Sequence, residues 1–373
     1  NIILFFVFMD SKYTIIDNRL LESFKKSTFS GYKKTDVIST LFKSIDNGKI
    51  ENACNWLTEC LCSGYTFDIW QRLLIYNCNT ISINNPNLIL YLYKKNKIIN
   101  NIYKSIDKND RYGILECRNN DKIRNIFFSV VTILCMSNKT KKYDKYPKLK
   151  DTDFDFENIQ KRFVANVYLL NNDFIHFNEP EELKLVMNEI YTYLKGNNYD
   201  MCLYWIFWIF EWEKRNLKAK NSWHIDARVV NVQPKFQSDL VWIIWELIHL
   251  QCKNVNIEKK RHIKALYILY LDDFTTRKRN KRLPYLYMSI CILTHDIDYT
   301  IPLLRDKTTL ILTNIKNGEM FKMRKPRENH DVVKDLEKDK KPLPQKKVEK
   351  KIEGEKILDK LKLFNDLDGL INK

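Results

Sequence analysis

Only 8 of the 373 residues are glycine. Sheet-rich and α/β folds place glycine in tight hairpins and in loops where backbone must approach phosphate, so this shortage argues against both. No GxxxxGK[ST] loop or GxGxxG turn occurs, nor HExxH or GxSxG, which excludes the common nucleotide cradles, zinc-protease helices and nucleophile elbows. Cysteine pairs with metal-binding spacing are missing too. The 9 cysteines are an odd number, scattered through apolar stretches, with Cys60 and Cys62 forming only CxC. Buried thiols in a reducing compartment fit this pattern. His249, Cys252 and His262 offer zinc only a dispersed set, so neither metal nor cofactor is expected. Long apolar runs are also lacking. Residues 1–8 and the run Met201–Phe210 are too short to span a bilayer, and the first has no basic leader. Residues 1–8 read as a leader or an artefact ahead of Met9.

What the chain does have is core material and positive charge. Apolar residues make up 45% and aromatics 13%, enough for a sizeable core, and the formal net charge is +17. That charge suits a polyanionic partner such as DNA or RNA. It suits equally a genome rich in A and T, which favours Lys, Asn, Ile and Tyr codons.

Apolar residues recur at helical spacing. Val37, Ile38, Leu41, Phe42 and Ile45 mark one face, and Gly48 stops the segment. Ile50, Ala53, Cys54, Leu57 and Leu61 mark a second helix ending at Gly64, and Asp68 precedes a third with Ile69, Trp70, Leu73 and Leu74. Residues 121–137 continue the pattern. The order returns 149 residues later. Trp56 aligns with Trp205, Val37 with Val186, Leu41 with Ile190, Ile45 with Leu194, Gly48 with Asn197 and Ala53 with Cys202. Asp68–Trp70 has a counterpart in Asp239–Trp242, and Phe128–Leu134 in Tyr287–Leu293. The expected fold is therefore all-α, with two stacked, duplicated helical units sharing a core. Unit 1 covers 9–138, a basic linker loop 139–152 and unit 2 153–320, the body closing with a helix near Leu303–Ile315. From Phe321 to Lys351 there are 12 Lys/Arg and 6 Asp/Glu with three prolines, so 321–353 reads as a disordered charged linker. In 354–373, Ile357, Leu361, Phe364, Leu367 and Ile371 share one face of an amphipathic helix, short enough to need a docking partner.

No catalytic residue emerges. Glu59, Asp68, Glu211, Asp239 and Glu246 lie in aromatic helices, where a carboxyl beside tryptophan could become an acid. Asp68 and Asp239 equally suit helix starts, where carboxylates accept backbone N–H bonds. The tryptophans at 205, 208, 212, 242 and 245 have the spacing of core packing rather than of a stacking platform. Phosphate contacts would come from two basic runs: Lys139, Lys141, Lys142, Lys145, Lys148 and Lys150, and Arg277, Lys278, Arg279, Lys281 and Arg282.

In residues 53–88, Ala53-x-x-Trp56-Leu57, Gly64, Arg72-Leu73-Leu74, Ile81, Pro86 and Leu88 resemble the C-terminal helical collar of clamp-loader-related ATPases, above all the recombination-associated branch. The resemblance covers about a tenth of the chain. The ATPase module is missing, so it implies at most an oligomerising helical unit. Residues 28–312 resemble uncharacterised helical proteins of nucleocytoplasmic large DNA viruses. The resemblance rests on Phe29-Ser30-Gly31-Tyr32-Lys33-Lys34, Cys60-Leu61-Cys62-Ser63-Gly64, Arg118-Asn119-Asn120 and Tyr204-Trp205-Ile206-x-Trp208. It implies a setting in the host cytoplasm, a viral factory or the virion, and no activity. The expected function is a non-enzymatic scaffold of viral replication or virion assembly, docking a viral protein partner through the C-terminal helix. The alternative is a nucleic-acid-binding accessory factor that uses the basic loops.

Overall fold

The structure, a computed structural model, describes residues 13–106, 113–140, 149–165, 169–170, 174–221, 223–304 and 307–324. The first half carries α1 (Lys34–Asp46), α2 (Ile50–Cys62), α3 (Thr66–Tyr76), α4 (Leu88–Lys104), the short α5 (Gly113–Glu116) and α6 (Asp121–Met136). The second carries the short α7 (Phe156–Gln160), then α8 (Glu181–Lys195), α9 (Tyr199–Ala219), α10 (Val241–Cys252), α11 (Ile257–Leu271), α12 (Thr276–Thr294) and α13 (Lys307–Lys322). The fold is all-α. Among the described residues no strand forms, and the one isolated bridge joins Ser27 to Lys33. No described helix is long and apolar enough to cross a membrane.

Why α1 and α2 form a hairpin is visible at Gly48. Its φ of 67° reverses the chain, the Gly48 N–H donates to the Ile45 carbonyl at 3.1 Å, and Lys49 N–H donates to Ser44 at 2.9 Å. These are the two bonds of a Schellman turn. The turn between α8 and α9 repeats them 149 residues on. Asn197 has φ 54°, its N–H donates to Leu194 at 3.3 Å, and Asn198 N–H donates to Tyr193 at 2.9 Å. Asparagine is among the few side chains that tolerate this conformation. Trp56 and Trp205 are each the seventh residue of the second helix of their hairpin. Their surroundings differ. Trp56 is half-buried, edge-on to Tyr32, whereas Trp205 is fully buried and stacked on Phe163 at 5.5 Å, because residues 149–165 wrap α9. Trp208 adds to that wrap by donating its indole N–H to the Asp153 carbonyl at 2.8 Å.

α6 is the central helix of the first half, packed on α1, α2 and α4, and α12 is central in the second, packed on α8 to α11. The halves are not separate bodies. α4 packs on α11, α12 on α3, and α13 returns to α2 and α6, so one hydrophobic core runs through the unit that ends at Arg324. This moves two expected boundaries. The closing helix runs to Lys322 rather than ending near Ile315, and 321–324 belong to the body, not to a linker. Phe321 is fully buried, with the Arg124 guanidinium 3.9 Å from its ring centroid, and Arg324 binds Glu59. A single aromatic anchor outweighs the charged composition around it. Residues 325–373, with the apolar stripe Ile357, Leu361, Phe364, Leu367 and Ile371, lie outside the described residues.

The strings behind the viral resemblance are structural ties. Asn119 accepts the Ile15 N–H at 2.8 Å and donates to the Ile15 carbonyl at 3.1 Å, Arg118 donates to the Asp17 carbonyl at 3.1 Å, and Asn120 caps α6. Ser63 accepts the Phe29 N–H at 2.8 Å, while buried Glu59 accepts the Ser30 N–H at 2.7 Å and its hydroxyl at 2.8 Å.

Candidate ligand-binding cleft

Two local irregularities open a concavity. α3 continues into a π-helical turn, Asn77–Ile81, which leads to Ser82 at φ 48°; widened turns of this kind recur at functional sites. α12 contains Pro284, which has no N–H for the Asn280 carbonyl and whose ring disturbs the preceding turn. Asn79 and Thr80 from the first, and Asn280 to Pro284 from the second, line a cleft of about 1410 Å³. α3 adds Phe67, Asp68, Gln71 and Arg72, and the last turn of α4 adds Asn100, Tyr103 and Lys104.

The cleft wall is sorted by chemistry. Phe67 and Tyr103, both half-buried, pack against each other with ring centroids 4.0 Å apart. The carboxylates in the wall are engaged. Asp68 pairs with Arg72 at 2.9 Å and Lys34 at 3.6 Å, Asp272 accepts the Asn96 and Asn100 amides at 3.0 and 2.7 Å, and Asp273 binds Lys278. Lys104 and Lys281 are exposed and have no carboxylate partner among the described residues. Lys104 also ends a lane. Lys94, Lys97, Asn101 and Lys104 recur at intervals of three, four and three along α4, which places them on one exposed face.

The expected basic residues divide sharply. Lys278, Lys281 and Arg282 reach the cleft. Arg277 is exposed on α12 one turn before Lys281. Arg279 is turned inward instead, binding Glu213 with both terminal nitrogens and Asp239 at 2.9 Å, over the ring of Phe210. Arg282 is buried and donates to the Tyr270 carbonyl. As phosphate ligands, Arg279 and Arg282 are therefore corrected: their charge is used inside the protein. From the first run, Lys139 donates to the Cys135 carbonyl at 2.6 Å, closing α6. Lys150 is exposed, and Lys141, Lys142, Lys145 and Lys148 lie outside the described residues. Thr140 donates its N–H to the Thr80 carbonyl at 2.7 Å, so this loop starts at the cleft wall. Sequence reasoning missed Phe67, Tyr103 and the α4 lane; the signal was the spacing of Lys94, Lys97 and Lys104.

The other carboxylates hold structure. Burial keeps the Glu213 carboxyl above the usual carboxylate range even with Arg279 bound to it. Glu246 is raised likewise and pairs with Arg228 at 2.9 Å, and Glu211 pairs with Lys214 at 2.8 Å on the surface. Among the described residues, His176, Glu179 and Asp226 alone have metal-ligand proximity, with donor atoms within 4.8 Å. Arg228 already provides their cation, 2.7 Å from Glu179 and 2.9 Å from His176 Nδ1, so a metal there would meet a guanidinium. His249 packs its ring on Tyr267, and His262 meets the Glu258 carbonyl through Nδ1 at 2.7 Å; the two do not gather with Cys252. Comparison with known proteins finds no family model, no curated protein and no solved structure that this chain matches.

Proposed function

We propose that this chain is a binding protein without catalytic chemistry of its own, and that it holds nucleic acid in the cleft between α3, α4 and α12. The observation that carries this reading is the set of exposed cations Lys94, Lys97, Lys104, Arg277 and Lys281, which have no carboxylate partner among the described residues, beside a wall of rings and amides. A small anion is held by cations that converge on a point. Lys94 to Lys104 instead span about 15 Å of helix, which suits a charged polymer. The net charge of +17 draws the same ligand from a distance.

The test is a salt series on binding to a labelled oligonucleotide with Lys104→Gln/Lys281→Gln. Losing two phosphate contacts should weaken binding and lower the log–log salt slope by roughly 1.4–1.8. Unchanged affinity and slope would overturn the proposal, and an unchanged melting curve would show that the variant is folded. The second reading is docking of a viral protein partner through the C-terminal stripe. What favours it is the spacing of Ile357, Leu361, Phe364, Leu367 and Ile371, which would share one face of a helix. Truncation after Gly354 should leave the melting temperature unchanged and abolish partner recruitment, whereas a drop of many degrees would refute it.

A further inference from the structure

We infer that the nucleic acid this cleft takes is single-stranded, with bases turned inward to Phe67 and Tyr103 and phosphates outward on the lysines; this rests on the nucleic-acid reading above. The charge sorting sets the orientation. The cations that have no carboxylate partner among the described residues are exposed at the rim and along α4, while Asp68 and Asp272 lie in the wall with the rings and Asp273 is exposed beside Lys278. A phosphate pushed into that wall would meet carboxylates whose cations and amides are already committed, whereas one left at the rim meets lysine that no described carboxylate holds. A strand whose backbone follows Lys94, Lys97 and Lys104 therefore presents its bases to the wall.

Only an unpaired strand has base faces and edges to give. In a duplex the faces are stacked on one another, so the half-open pair Phe67–Tyr103 would have nothing to stack against. The amides show the same preference. Gln71, Asn79 and Asn280 line the cleft with no side-chain hydrogen bond among the described residues, and can donate to or accept from unpaired base edges. DNA and RNA share this chemistry, and nothing in the wall requires a 2′-hydroxyl.

Binding of the full chain is measured by fluorescence anisotropy with labelled oligo-dT, oligo-rU, an abasic strand of equal length and a duplex. The expected order is dT and rU tightest, with the abasic strand and the duplex each at least about tenfold weaker, since one stacked base is worth about 1–3 kcal/mol, roughly 5- to 150-fold. Tyr103→Leu keeps the bulk and removes the flat ring. It should weaken dT about tenfold without changing abasic binding, and Tyr103→Phe should restore dT. Equal binding of abasic and dT strands would refute the inference. So would a duplex bound as tightly as dT. If the duplex binds as tightly as dT and Lys104→Gln/Lys281→Gln abolishes both, the nucleic-acid reading stands and the single-strand inference falls. If none of the four probes binds, both fall.

Discussion

Replacing Arg279 by methionine would leave Glu213 and Asp239 buried without the guanidinium that now binds both. The three side chains are 13%, 8% and 3% exposed, so water cannot take its place. Among the described residues Asp239 Oδ2 already lacks a hydrogen-bond partner. Removing one member of such a network costs about 3–5 kcal/mol, a large part of the roughly 5–15 kcal/mol that holds a folded protein together. The loss should depend on pH. Burial already holds the Glu213 carboxyl above its unfolded value, so it contributes stability that is present below that value and lost as pH rises through the folded one. Without Arg279 the upward shift grows. The penalty should therefore be largest near pH 7 and shrink towards pH 4, as measured by urea unfolding at both. Adding Glu213→Gln to Arg279→Met should recover most of the loss at pH 7. A penalty below about 1 kcal/mol, or one equal at both pH values, would show that the network does not hold α9, α10 and α12 together.

Two further tests address the turns and the thiols. A Cβ on Gly64 would lie 2.6 Å from Leu115 Cδ2 at φ 74°, so Gly64→Ala should cost about 2–4 kcal/mol in urea unfolding, whereas Gly48→Asn should cost under about 1 kcal/mol because Asn197 already holds the matching turn. Equal losses for the two would contradict this account. Burial pushes the Cys252 thiol up to about 11 and Cys54, Cys62 and Cys135 to about 12, so at pH 8 a disulfide reagent should react on the order of 100-fold more slowly with the native protein than with free thiol, Cys252 first, and with all 9 cysteines after denaturation.

Helical periodicity made the architecture readable, since Val37, Ile38, Leu41, Phe42 and Ile45 can share a face only in a helix, and Gly48 and Asn197 are both residues that accept the turn's backbone. The partners of charged residues were not readable. Arg277, Lys278, Arg279, Lys281 and Arg282 look alike in one dimension, but Arg279 and Arg282 point inward because Glu213, Asp239 and the Tyr270 carbonyl, 12 to 66 residues away, wait for them. The cleft was hidden for the same reason. Phe67, Tyr103 and Lys281 become neighbours only when α3, α4 and α12 pack, and no local pattern records that packing.

The pairing of Arg324 with Glu59 has a consequence for how the chain is made. The two residues are 265 apart, and at about 5–20 residues per second a ribosome needs roughly 13–53 s to cover that distance. Throughout that interval the Glu59 carboxylate has no counter-ion and must keep its water. Until α13 arrives, the Phe29–Tyr32 turn is held on α2 by the Phe29 bond to Ser63, the Ser30 bonds to Glu59 and the edge-on contact of Tyr32 with Trp56. The α2–α13 contact is therefore the one part of this site that waits for the far end of the body.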